Sequence, residues 1–189
     1  IREFHGKPIL AYTIKCAQDS GLFERIIVST EDEQIAEIAK SYGAEVPFIR
    51  PTKLADDFTT TREVVCHAIE ALGTQKNVVC LSAVAPLLKP ETIKKACSML
   101  NEEDLVFDCL KLEACTSVVR TFIINNSKSR MILPQYVNTR TQDCPPVYYH
   151  TGQFLIGTAK VWLKKNDIYL EGTPYVLDPN EAVDIDYEG

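Results

Sequence analysis

The sequence has no long hydrophobic run and no cluster of basic residues. Its apolar segments are all shorter than the ~20 residues that span a bilayer. Asp and Glu outnumber Lys and Arg by 26 to 20. An acidic chain without a polybasic segment lacks the charge that attracts nucleic acid or anionic membranes. We therefore expect neither to be a partner.

Histidine is scarce, and the cysteines are not spaced as metal ligands. The chain has 3 histidines and 7 cysteines, with no C-x-x-C pair. Most cysteines lie inside apolar segments such as NVVCLSA, which is typical of buried thiols in a reducing cytoplasm rather than of a disulfide framework. A zinc site is not expected, and no pattern indicates a Ser-His-Asp or Cys-His nucleophile.

The first half of the chain alternates between strand and helix patterns. The predicted strands are RIIVST, AEVPFIR and NVVCLSA, and the predicted helices include one capped by Thr30 and Glu33 and one opened by Pro90. This rhythm predicts an α/β fold, namely a three-layer, doubly wound and mostly parallel sheet with helices on both faces.

The second half is less regular. Short segments such as DLVFDCL, TSVV, RMILP and GQFLIG read as strands divided by polar loops, followed by one short helix, AKVWLKKN. No repeat or linker divides the chain. We therefore predict one domain over residues 1–189, with an irregular excursion at about 120–150.

Two acidic residues near the end of the sequence share one face of a predicted strand. Asp184 and Asp186 stand one residue apart in AVDIDYEG, so in an extended strand both side chains point the same way. A solvated strand end would explain the pair, and so would a cation held between the carboxylates. Because ligands of such sheets bind outside the carboxyl ends of the strands, the second explanation places a charged ligand nearby.

Several segments together resemble the CMP-sugar synthetases, the cytidylyltransferases that activate nine-carbon, sialic-acid-like sugars. The matching segments are FHGKPILAYTI (4–14), IIVSTEDEQIAEIAKSYGAEVPFIRPTKLADD (26–57), NTRTQD (138–143), TGQF (151–154) and VDID (183–186). They occur in the family's order, and the likeness is greatest to its pseudaminic-acid-activating branch.

The resemblance implies a Rossmann-like nucleotidyltransferase fold and a cytoplasmic enzyme that transfers CMP from CTP to a nonulosonic acid. Pyrophosphate is released, and the product serves surface glycan or flagellin glycosylation. Such a transfer needs positioning and charge neutralisation rather than a protein nucleophile. It also implies Mg²⁺ held by Asp184 and Asp186, which would then be the catalytic metal ligands.

One family feature is not present in the sequence. The family carries a glycine- and arginine-rich loop that wraps the triphosphate, and this loop would precede Ile1. We expect the complete enzyme to carry it.

The family pattern assigns Arg50, Thr59, Thr61 and Ser82 to the nucleotide. Arg50 and the threonines also have plainer alternatives. Arg50 could be a surface arginine tied to Asp56 or Asp57, and one of the threonines must cap the following helix. Both roles are compatible for the threonines, because a helix N-terminus offers free N–H groups to a polar ligand.

The sugar is an acid, so a bidentate arginine is a natural partner for its carboxylate. The candidates in or beside the excursion are Arg140, Gln142, His150, Thr151 and Gln153. Arg140 could instead form a structural ion pair, and His150 could be a packed strand residue beside two tyrosines. Gln153 on an apolar strand needs a polar partner, either sugar or backbone.

Two departures from the neuraminate enzymes favour pseudaminic acid as the sugar. Ser82 stands where those enzymes have glutamine, and TGQF replaces their N-G-A-I-Y. N-acetylneuraminic and legionaminic acid remain alternatives, as does a nucleotide-binding module without catalysis. Apolar segments in the excursion, FII, MIL and PPVYY, would be costly to expose on a monomer, so we predict a homodimer.

Overall fold

The computed structural model describes residues 2–112, 116–164 and 172–182. Its helices are α1 (Ile9–Ser20), α2 (Glu33–Ser41), α3 (Thr61–Leu72), α4 (Pro90–Cys97), α5 (Thr116–Val119) and α6 (Ala159–Lys164). Its strands are β1 (Glu3–Phe4), β2 (Lys7–Pro8), β3 (Asn77–Leu81), β4 (Val106–Lys111), β5 (Phe122–Asn125), β6 (Lys128–Met131), β7 (Tyr148–Tyr149), β8 (Phe154–Thr158) and β9 (Thr173–Val176).

The central sheet contains β3, β8, β4, β7 and β9. β8 lies between β3 and β4 and runs antiparallel to both, with Leu81 opposite Phe154 and Phe107 opposite Leu155. β9 runs parallel to β4 on its other side. The sheet that the structure describes is therefore mixed, where the sequence predicts mostly parallel strands.

The pairing of β4 changes partner in the middle of the strand. Phe107 faces Leu155 of β8, and Leu110 faces Tyr149 of β7. Asp108 and Cys109 consequently lie opposite the whole of segment 150–154. That segment contains more residues than a regular ladder can pair, so it bulges out of the sheet.

Helices cover both faces of this sheet. One buried cluster joins the α4 residue Ile93 to Val106 and Ile156, while a second joins the α3 residue Ile69 to Leu155 and the α6 residue Trp162. Alternate residues of β8 thus enter different clusters, as the two-residue period of a strand requires. The predicted α/β class with helices on both faces is confirmed.

A third cluster packs α1 against α2 and the chain between them. Ile14, Ala39 and Ala44 form its centre, and partly buried side chains at 26 and 28 complete it. The predicted strands RIIVST and AEVPFIR contribute one isolated parallel bridge, Ile27 to Glu45.

The helix predictions hold with two corrections. The N-cap of α2 is Asp32, whose carboxylate accepts hydrogen bonds from the amides of Gln34 (2.7 Å) and Ile35 (3.0 Å), so the predicted capping box of Thr30 and Glu33 is wrong. TSVV, predicted as a strand, is the short helix α5.

A β-hairpin, β5 and β6, lies within the region predicted as an excursion. Asn126 and Ser127 form its turn with positive φ angles of 49° and 60°, the conformation that two-residue hairpins prefer. Every residue of β5 is exposed, including Ile124 at 73%. Within the described ranges, no helix has both the length and the apolar character needed to cross a bilayer.

Replacing Asp32 with Ala should lower the free energy of unfolding by about 1 kcal/mol, because two amides of the first turn of α2 lose their acceptor. Urea denaturation followed by circular dichroism measures the loss. Asp32→Asn is the matched control, since its carbonyl oxygen can still accept. Equal stability of the Ala variant and the parent chain would contradict the assigned cap.

Candidate functional site

A cleft of about 340 Å³ lies where β3 ends and β8 begins. Its polar lining residues are Arg50, Thr59, Thr61, Ser82 and His150, and the rest of its wall is Val64, Cys80, Leu81, Gly152, Phe154 and Leu155. The antiparallel pairing of Leu81 with Phe154 accounts for this location, because it brings the end of one strand beside the start of the other.

Arg50 is held at the cleft by two contacts. Its backbone amide donates to the carbonyl of Thr30 at 2.9 Å, and its guanidinium donates to the carboxylate of Glu31. That hydrogen bond lowers the pKa of Glu31. Glu31 is therefore the ion-pair partner of Arg50, where the alternative drawn from the sequence named Asp56 or Asp57. Arg50 still lines the cleft.

The loop before α3 is fixed by Asp56. Its carboxylate accepts hydrogen bonds from the Thr59 hydroxyl (2.8 Å), the Thr59 amide (2.7 Å) and the Phe58 amide (3.0 Å), and these bonds lower the pKa of Asp56. Thr60 caps α3 in a capping box with Glu63. The expectation that one of the threonines caps this helix is thus met by the middle one, and the two on either side line the cleft.

Ser82 follows β3 and is tied to the neighbouring elements through its backbone. Its amide donates to the carbonyl of Gln153 at 2.9 Å, and its carbonyl accepts from the Thr13 hydroxyl of α1 at 3.0 Å. Two residues earlier, Cys80 lines the same cleft, and burial raises the pKa of its thiol to about 11. The thiol is therefore neutral at physiological pH.

Of the residues predicted to contact the sugar, His150 alone lines the cleft. Thr151 and Gln153 lie behind the wall, with exposed fractions of 4% and 2%. The Gln153 amide donates to the carbonyl of Thr151 at 2.9 Å, so the backbone is one of its partners.

Arg140 and Gln142 lie away from the cleft lining. They sit at a short 3₁₀ turn, Thr141–Asp143, and both are exposed. The Arg140 guanidinium donates to the Asp143 carboxylate at 2.6 Å, which is the structural ion pair considered as the alternative from the sequence.

Asp184 and Asp186 lie outside the described residues. Within the described ranges, no group of three or more His, Cys, Asp or Glu side chains could hold a metal ion. Two carboxylates are nevertheless a suitable donor set for Mg²⁺, which prefers oxygen ligands and completes its shell with water or phosphate. Among the described residues, the polar cleft lining supplies hydroxyl, imidazole and guanidinium groups but no carboxylate.

Asp108, in the middle of β4, is not one of the residues that the sequence predicts. Its side chain is fully buried. Its carboxylate accepts hydrogen bonds from the amides of Thr151 (3.1 Å) and Phe154 (2.7 Å) and from the Thr151 hydroxyl, and His150 Nε2 lies 3.4 Å from its Oδ1. An acidic residue inside the apolar run VFDCL was the signal available in the sequence.

The environment keeps Asp108 ionised. Burial alone would raise the pKa of its carboxyl, but the nearby His150 ring and the hydrogen bonds from Phe154 and Thr151 together lower it below the ordinary value of 3.8. Its four contacts all come from segment 150–154, which forms part of the cleft wall.

Replacing Asp108 with Asn should lower the free energy of unfolding at neutral pH by on the order of 2 kcal/mol, because a carboxamide satisfies these donors less well than a carboxylate. A carboxyl whose pKa is depressed by folding stabilises the protein above its unfolded pKa and loses that effect as pH falls through its folded pKa. The stability difference between parent and variant should therefore shrink below about pH 4. Urea denaturation across the acid range measures it, and a constant difference would contradict the assignment.

Comparison with known proteins gives a family match over most of the chain. The family model described as cytidylyltransferase matches residues 1–168. A pseudaminic acid cytidylyltransferase of Campylobacter jejuni is 36% identical over 98% of this chain and 83% of its own. A CMP-N,N'-diacetyllegionaminic acid synthase of Legionella pneumophila is 32% identical over 96% of this chain and 81% of its own.

A solved structure shares the fold. The structure of CMP:2-keto-3-deoxy-manno-octonic acid synthetase complexed with CTP superposes with a TM-score of 0.70 at 13% identity, covering 97% of this chain and 85% of that one. At this identity the likeness bears on the fold alone, and it agrees with the α/β architecture described above.

Proposed function

Because the chain belongs to the cytidylyltransferase family, we propose that it transfers CMP from CTP to pseudaminic acid and releases pyrophosphate. The observation that most supports this proposal is the cleft, whose lining includes Arg50, Thr59, Thr61 and Ser82. These are the positions that the family pattern assigns to the nucleotide.

In the proposed reaction, a sugar hydroxyl oxygen attacks the α-phosphorus of CTP. The new oxygen–phosphorus bond forms as the bond to the bridging oxygen of pyrophosphate breaks, and the hydroxyl proton passes to solvent or to a base. The chain's contribution is positioning and charge. Arg50 provides a fixed cation at the cleft, and the hydroxyls of Thr59 and Ser82 provide hydrogen bonds to ligand oxygens or nitrogens.

Asp184 and Asp186 are proposed to hold Mg²⁺. The metal, when bound, would neutralise the charge that builds on the phosphate oxygens and the leaving pyrophosphate. The proposal rests on the chemistry of the two carboxylates and on their place in the family pattern.

The choice of sugar rests on the relatives and on two departures from the neuraminate pattern. The relatives named for pseudaminic acid are more similar to this chain than the legionaminate enzyme. Ser82 offers a short hydroxyl at the cleft where a glutamine would reach further. A CMP-legionaminate or CMP-N-acetylneuraminate synthetase is the second candidate, supported by relatives that carry those names.

The test is a product assay on the full-length protein with CTP, Mg²⁺ and each acidic sugar in turn, measuring pyrophosphate. We expect pseudaminic acid to give the highest kcat/KM. Asp186→Asn is the catalytic control and should lower kcat at least about 100-fold while leaving the circular dichroism spectrum unchanged.

Two outcomes would contradict the proposal in different ways. Turnover with N-acetylneuraminic acid but not with pseudaminic acid would overturn the substrate. CTP binding by calorimetry with no turnover of any acidic sugar would instead favour a nucleotide-binding module without catalysis.

A homodimer formed through the hairpin is also proposed. An isolated two-stranded hairpin is marginally stable in water, and here Phe122, Ile124 and the following Ile132 expose more than half of their surfaces. A second copy of the chain would cover them. The free cysteines of the described residues fit the cytoplasmic location expected for such an enzyme.

Replacing Ile124 with Glu should convert the dimer into a monomer, because a charge cannot be buried in an apolar interface without a partner. Light scattering at micromolar concentration gives the mass. Leu22→Glu is the matched control, since Leu22 is an exposed apolar residue outside the hairpin, and it should leave the dimer intact. A monomeric parent protein would contradict the proposed assembly.

A further inference from the structure

The register of β4 leaves segment 150–154 without a regular partner on β4. β4 pairs with β8 up to Phe107 and with β7 from Leu110 onward, so the bulged segment between them faces Asp108. Bulges of this kind re-aim side chains and recur beside active sites. Here the bulge carries His150 and Gly152 into the wall of the cleft.

The Asp108 carboxylate takes the place of the missing strand partners. The amides of Thr151 and Phe154 donate to it at 3.1 and 2.7 Å, and the Thr151 hydroxyl donates to it as well. Backbone amides that are buried need an acceptor, and this carboxylate is fully buried with them. Asp108 therefore sets the conformation of the bulge.

The same carboxylate lies beside the His150 ring. His150 Nε2 lies 3.4 Å from Asp108 Oδ1, so the ring edge that carries Nε2 faces the sheet. Gly152 supports this arrangement with a φ of 70°, and a Cβ built there would lie 4.0 Å from His150 Cε1. The turn thus places the ring at the cleft between the buried carboxylate and the ligand space.

The bulge is joined to the nucleotide side of the cleft through its last residues, and Phe154 pairs with Leu81 of β3. The Ser82 amide donates to the carbonyl of Gln153 at 2.9 Å. Arg50, Thr59 and Thr61 have no contact with Asp108 among the hydrogen bonds of the described residues, and their own supports are Glu31, Asp56 and the α3 cap. Apart from this junction, the two sides of the cleft have separate supports among the described residues.

We propose that Asp108 is a positioning residue for the acidic sugar, because its carboxylate holds the 150–154 bulge in the conformation that presents His150 to the cleft. This inference rests on the proposed cytidylyltransferase function. Asp108 does not touch the substrates itself. Its effect reaches the sugar through His150 and leaves the nucleotide side largely unchanged.

The experiment is steady-state kinetics of Asp108→Asn on the full-length protein, varying CTP and the sugar acid separately. We expect the KM for the sugar to rise about tenfold, while the KM for CTP stays within about twofold of the parent value. Ile93→Val is the control, since Ile93 is a fully buried core residue of α4 outside the cleft lining, and it should change neither KM.

A double-mutant cycle tests the route through His150. In a His150→Gln background, Asp108→Asn should raise the KM for the sugar by less than about twofold more, because the residue through which it acts is already gone. Equal effects of Asp108→Asn in both backgrounds would overturn the proposed route.

If Asp108→Asn does not fold, a second pair of variants at Thr151 tests the same proposal. Thr151→Val removes the hydroxyl donor and leaves the carboxylate, whereas Thr151→Ser retains the hydroxyl. We expect Val to raise the KM for the sugar selectively and Ser to restore the parent value. Val and Ser variants with the same KM for the sugar would overturn the proposal.

The outcomes separate this inference from the proposed function. A parent protein that makes no pyrophosphate with any acidic sugar refutes the function before any variant is made. An active parent together with a folded Asp108→Asn variant whose two KM values rise in parallel, or do not change, overturns only the positioning role of Asp108.

Discussion

The antiparallel ladder between β3 and β8 is the constraint on which the described site depends. It runs from Asn77 opposite Thr158 to Leu81 opposite Phe154, with no break. Since the strands run in opposite directions, the residues that leave β3 and those that enter β8 must meet at one edge of the sheet. A one-residue slip in this register would reverse the faces of β8 and remove Leu155 and Ile156 from their separate cores.

Three carboxylates at or near the cleft are each stabilised by a nearby arginine or by several hydrogen-bond donors. Arg50 and Glu31 pair at the cleft, and Asp56 gathers three donors of its own loop. Asp108 is the extreme case, because a fully buried carboxylate would be strongly unfavourable without its surrounding donors. In each case the carboxylate fixes a segment that lines the cleft. The residues of the cleft lining are therefore positioned by acidic side chains that are not part of the lining.

Local sequence signals predicted most of the helices, and the family pattern singled out four residues that the structure brings to one cleft. α3 and α4 begin where threonine capping and Pro90 indicate, and Arg50, Thr59, Thr61 and Ser82 come together at one cleft. Their roles toward a nucleotide remain predictions. The correction from Thr30 to Asp32 as the α2 cap reflects two residues, two positions apart, whose side chains can both accept, and the backbone geometry of the turn decides between them.

What sequence could not supply is long-range pairing. The periodicity of GQFLIG indicates a strand but not its direction. It therefore could not predict that β8 lies antiparallel between β3 and β4, which makes the sheet mixed. The bulge opposite Asp108 is likewise a product of two registers that meet on β4. Arg140 and Gln142 are among the residues predicted to bind the sugar, yet their 3₁₀ turn leaves them outside the cleft lining.

The cleft lining contains one cysteine, Cys80, among the described residues, and its thiol has a raised pKa. With a pKa of about 11, about one thiol in ten thousand is deprotonated at neutral pH. Thiolates are the species that peroxides and alkylating agents attack. Cys80 therefore contributes a neutral thiol, rather than a reactive thiolate, to the wall of the cleft.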